Sequence, residues 1–189
     1  MSNIYTVKKE INGKEYIAQF NGISAALKAV DGSYIEGTKV ISLKKLANYL
    51  FEHTIVEPRI KIDDFGADDI GKEVTKTIND TEYCAKFNGL SCALEAIDNS
   101  YIDGTDNISL EKLAKFLFEK VVTKPEKLTA DDFDSMEEFN DVVSFAREVM
   151  QGNGVMDEFN EVIAFAREVM QGNFRDKKKS KSVKGTSED

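Results

Sequence analysis

The chain has 189 residues, 41% of them hydrophobic and 31% charged, with 12 Phe, 6 Tyr and no Trp, which is enough apolar material for globular cores and too much for a disordered chain. Its formal net charge of −9 argues against a direct grip on nucleic-acid phosphates or an anionic membrane surface, both of which call for Lys and Arg. No run approaches the roughly 20 apolar residues a membrane span needs, and Met1–Val7 lacks the basic start and apolar centre of a signal peptide, so neither secretion nor membrane insertion is expected.

The first element is a hairpin. Val7, Lys9 and Ile11 alternate, Asn12-Gly13 supplies the positive φ angles of a type I′ turn, and Tyr16, Ala18 and Phe20 resume the alternation. Ser24 is placed to N-cap a short helix carrying Leu27 and Val30. After Ser42, the residues Leu43, Leu46, Ala47, Leu50 and Phe51 form one amphipathic stripe, and the helix they imply ends near Glu57-Pro58, because proline cannot continue it. Asp63-Asp64-Phe65 then reads as an acidic connector with an aromatic anchor.

The same series returns further along. Glu15–Leu27 reappears as Glu82–Leu94, Ser33-Tyr34-Ile35 as Ser100-Tyr101-Ile102, and Pro58 as Pro125. Val74, Ile78, Tyr83, Ala85 and Phe87 surround Asn79-Asp80, Ser91 precedes Leu94 and Ile97, and Ser109 precedes Leu110, Leu113, Ala114, Leu117 and Phe118. Asp131-Asp132-Phe133 closes the second series. The two cysteines, Cys84 and Cys92, stand where the first copy has Ile17 and Ala25, so they read as small apolar fillers, with a disulfide or metal pair as the alternative. The sequons at Asn79 and Asn107 matter only outside the cytosol.

A second, shorter repeat follows. Glu137–Asn153 is succeeded by Asp157–Asn173, almost identical in sequence. Ser135-Met136-Glu137-Glu138 reads as a capping box, Phe139, Val142, Val143, Ala146, Val149 and Met150 form a stripe, and Gly152 and Gly172 are stops. Beyond Arg175 a single large apolar residue remains, which predicts a disordered tail. The expected class is α+β: a tandem duplicated module of β-hairpin plus two helices (1–70 and 71–134), two C-terminal amphipathic helices (135–174) and a lysine-rich tail (175–189).

Motifs for chemistry are sparse. The one histidine, His53, falls at a helix end where the other copy has Lys120, and reads as a solvated side chain. The pairs Asp63-Asp64, Asp68-Asp69 and Asp131-Asp132 lie in connectors with no His, Cys or phosphate loop beside them. Aligning Gly104 with the invariant glycine of a calcium loop puts Tyr101 and Leu110 at ligand positions, so the match fails. No nucleotide-binding glycine motif occurs, and the expectation is a protein-binding chain without enzymatic activity, cofactor or metal.

Asn12-Gly13-Lys14-Glu15-Tyr16 with Ala18 and Phe20, the helix ending at Glu57-Pro58, Asp131-Asp132-Phe133-Asp134 and the run Glu158–Lys179 together resemble tail assembly chaperones of long-tailed phages and prophages of Gram-positive bacteria. The resemblance is best from Ile78 to Lys179, and the duplicated module departs from the family's usual single one. It implies a factor in the cytoplasm of the bacterial host that coats the tape measure protein, keeps it soluble, helps recruit major tail tube subunits and is absent from the mature virion. It also implies a longer frameshifted product, for which an A-rich slippery run could encode Lys177-Lys178-Lys179. The candidate partner-binding residues are Phe139, Val142, Val143, Val149 and Met150 on one terminal helix and Phe159, Val162, Ile163, Val169 and Met170 on the other, matched to amphipathic helices of a partner. The alternative for them is packing against each other or the second module. Homo-oligomerisation stays open, as do two other functions: an acidic inhibitor that mimics DNA, or a structural tail or connector protein kept in the virion.

Overall fold

The computed structural model describes residues 5–173. Strands β1 (Tyr5–Ile11) and β2 (Lys14–Phe20) pair antiparallel from Tyr5↔Phe20 to Ile11↔Lys14. The turn between them holds Asn12 at φ 49° and Gly13 at φ 76°, the left-handed pair that lets the strands keep their twist. Helices α1 (Ile23–Asp31) and α2 (Leu43–His53) follow, and β3 (Ile55–Glu57) returns to β2 with a bulge between Ile17 and Ala18. Then β4 (Glu73–Ile78), β5 (Thr81–Lys86), α3 (Leu90–Asp98), α4 (Leu110–Lys120) and β6 (Val122–Lys124) run in the same order, with the bulge between Cys84 and Ala85. The chain ends its described part with α5 (Met136–Gln151) and α6 (Val155–Met170). The fold is therefore α+β, with two three-stranded antiparallel sheets ordered β1-β2-β3 and β4-β5-β6.

Three local expectations change. The second helix of each half stops at His53 or Lys120, and the residues before each proline form a third strand instead of a helical turn. Strands this short carry no periodicity to read. Ser24 and Ser91 are not caps: Gly22 and Gly89, at φ 92° and 91°, precede the helices, because the chain leaves β2 and β5 by a turn only glycine takes without strain. Ser135 does accept from the Glu138 N–H at 3.2 Å, but the Glu138 carboxylate turns to the Tyr83 hydroxyl and leaves the capping box half made. The expected tail, 175–189, with Lys177–Lys179, lies outside the described residues.

The terminal helices do not form a unit of their own. Helix α5 lies on β4, β5, α3 and α4, whereas α6 runs back to β1, β2, α1 and α2, so each half gains a third helix over its sheet. Matching aromatic trios seat them. Phe159 meets Phe51 and Phe65 edge-on at 6.0 and 5.5 Å, and Phe139 meets Phe118 and Phe133 edge-on at 6.0 and 5.4 Å. Edge-to-face rings at such spacing add about 0.5–1.5 kcal/mol per pair beyond their burial. Lys9 over Phe165 and Lys76 over Phe145, at 5.8 and 5.9 Å, repeat the correspondence further along the helices.

Candidate protein-interaction surfaces

Nine of the ten residues expected to meet a partner are buried: Phe139, Val142, Val143 and Met150 on α5, and Phe159, Val162, Ile163, Val169 and Met170 on α6. Val149 alone is half-buried. The expectation of an open binding stripe is thus replaced by a packing one, with the sheets and helices of the two halves as its counterpart. Burial of each large apolar side chain is worth about 1.5–3 kcal/mol, which holds these faces inward. Outward, the same helices show Asp141, Ser144 and Glu148, or Glu161, Ala164 and Glu168.

The polar side chains the sequence singled out serve the fold. Tyr83 donates to Glu138 at 3.0 Å, and burial, followed by the neighbouring carboxylate, pushes its hydroxyl up to about 12. Tyr16 is likewise raised to about 12 by burial and by Glu158 on α6. Asp63 accepts the Ser91 N–H at 2.7 Å and so caps α3 across the boundary between the halves. Asp64 and Asp132 accept the backbone N–H groups of Lys61 and Thr129, both at 2.7 Å, and the two Thr129 bonds hold the Asp132 carboxyl below the usual range. His53 stacks obliquely on Tyr49 at 4.5 Å with about half its side chain in solvent. Cys84 is buried against the Thr75 hydroxyl at 3.3 Å, and Cys92 is half-buried with its thiol raised by burial. Among the described residues no group of three His, Cys, Asp or Glu side chains is placed to hold a metal ion, and no helix is long and apolar enough to cross a membrane.

Among the described residues, two sizeable apolar grooves matter here. The larger, about 960 Å³, runs between α4, the connector after β6 and the start of α5, with Leu110, Ala114, Phe118, Leu128, Met136 and Phe139 along it. The other, about 760 Å³, lies between β4 and the C-terminal end of α5, where Val74, Phe87, Phe145 and Val149 form an apolar floor beside Lys72 and Glu148. Of the expected site residues, Val149 lines the second groove and Phe139 the edge of the first. Exposed apolar side chains outside these grooves include Ile23 and Leu27 on α1, at 58% and 59% exposure. Sequence reading missed Val74, Leu110 and Met136 as surface residues, because each belongs to a stripe or alternation indistinguishable from its buried neighbours.

No family profile, curated protein or solved structure matches the chain.

Proposed function

We propose that the chain is a non-catalytic protein-binding factor built from two copies of one sheet-and-three-helix unit, and that it acts as a phage tail assembly chaperone. In this reading it binds the tape measure protein in the host cytoplasm, keeps it soluble, helps recruit tail tube subunits and leaves before the virion is complete. The observation that carries protein binding is the pair of apolar grooves flanked by helices, since long amphipathic helices are recognised by such grooves through regularly spaced apolar side chains. The choice of the tape measure rests on the resemblance carried by Asn12–Phe20, Asp131–Asp134 and Glu158–Lys179. The groove between β4 and α5 is assigned to that partner, because its Val, Phe and Val floor lies between Lys72 and Glu148, a setting for an apolar helix with charged flanks.

Co-expression tests this. The soluble fraction of the tape measure protein should rise with the wild-type chain and fall back with Val74→Asp, whose side chain is 47% exposed and leaves the core intact. A tape measure protein that stays insoluble beside the folded wild-type chain would remove the chaperone reading.

A further inference from the structure

The two halves touch chiefly through α2 and the connector 61–65 on one side and α3 on the other, and the Gly104 N–H also donates to the Gly37 carbonyl at 2.8 Å. At this seam Lys44 pairs with Glu95 at 2.7 Å, the Ser42 hydroxyl donates to Asp98 at 2.5 Å, and Asp63 caps α3 at the Ser91 N–H. Leu90 and Leu94 are 0% and 1% exposed here, whereas their counterparts on α1, Ile23 and Leu27, are 58% and 59% exposed. The difference measures what the seam covers: a half does not bury these two positions by itself.

Apart from the Gly37–Gly104 bond, the seam joins unlike faces, so it leaves one of each unused. The first half keeps a free α1 face. The second half keeps a free α4 and connector face, which carries the 960 Å³ groove, with Leu110 where the seam has Leu43; Asp131, next to the groove residue Ala130, stands where the seam has Asp63. We propose that the groove of one copy receives α1 of the next, so that copies of this chain join head to tail. The chemistry carries over with one informative exchange. Where the seam pairs Lys44 with Glu95, the intermolecular contact would pair Glu111 with Lys28: both charges are reversed and the attraction is kept. Ser109 faces Asp31 as Ser42 faces Asp98, and Asp131 faces the Ser24 N–H as Asp63 faces that of Ser91. Ala130 replaces Ile62, which widens the receiving side. A heterologous contact of this kind does not saturate at a dimer; it closes into a ring or continues as a filament. The inference is independent of the chaperone reading.

Sedimentation velocity on the full chain over a range of concentrations tests it. The wild-type weight-average mass should climb past two chains, while Leu27→Asp and Leu110→Asp, each on an exposed side chain, should each remain single. Mixed in equal amounts they should pair and stop at two chains, since one supplies only the groove and the other only the helix. Lys28→Glu should weaken assembly, and Lys28→Glu with Glu111→Lys in one chain should restore it. If an Asp variant loses its cooperative melt, the charge pair decides alone. A wild-type chain that stays single at its highest soluble concentration, variants that assemble like the wild type, or a charge reversal without rescue would each overturn the proposal.

Discussion

Tyr16 and Tyr83 show how one side chain ties a terminal helix to a sheet. Each lies buried on the middle strand of its sheet, with a glutamate of α6 or α5 beside its hydroxyl. Their hydroxyls are raised from 10.0 to about 12, so the folded state holds protons the unfolded state would release, and the stability this contributes is complete below about 10 and lost as pH rises through about 12. A spectrophotometric titration should therefore show two of the six tyrosines ionising near 12, and Glu138→Gln should bring Tyr83 down while leaving Tyr16 in place. Ionisation of all six near 10 would contradict it. Residue roles of this kind were partly legible in the sequence. The Asn12-Gly13 turn follows from local chemistry, whereas the serine caps were placed at Ser24 and Ser91 and are found at Ser42 and Ser109, which accept from Lys45 and Lys112 at 3.0 and 3.2 Å. Asp63 could not be read as a cap because its partner, Ser91, is 28 residues away.

At the scale of elements, the amphipathic stripes of α2, α4, α5 and α6 were visible in the apolar spacing, but a stripe states only that a face is apolar. It does not name what covers it. For α5 and α6 the covering surface is the sheet of one half each, reached in the case of α6 by a return across the molecule that no local signal encodes. Strands β3 and β6 were missed because three residues carry no alternation, and only the tertiary pairing with β2 and β5 makes them strands. Phe139→Ala and Phe159→Ala should each lower stability by about 3–5 kcal/mol in denaturant unfolding, as removal of a buried aromatic does. Ala164→Glu, on the outer face of α6, should stay within about 0.5 kcal/mol of wild type. Equal small effects for all three would mean that the helices are not held by these faces.

For the whole molecule, the two sheets, their helices and the seam between α2 and α3 make a scaffold whose cores absorb the residues that looked most like a binding site. The proposed contacts use what the cores leave open: the groove of Val74, Phe145 and Val149, and the unlike faces of α1 and α4. The central claim is that a partner is met there while α5 and α6 stay seated. Hydrogen exchange on the full chain, alone and with the tape measure protein proposed as its partner, tests this most directly. The account predicts new protection in β4 and residues 152–154, with the amides of α5 and α6 exchanging slowly and equally in both states. Faster exchange along α5 and α6 on binding, with no change at β4, would show that the helices leave their sheets to bind, and would contradict it.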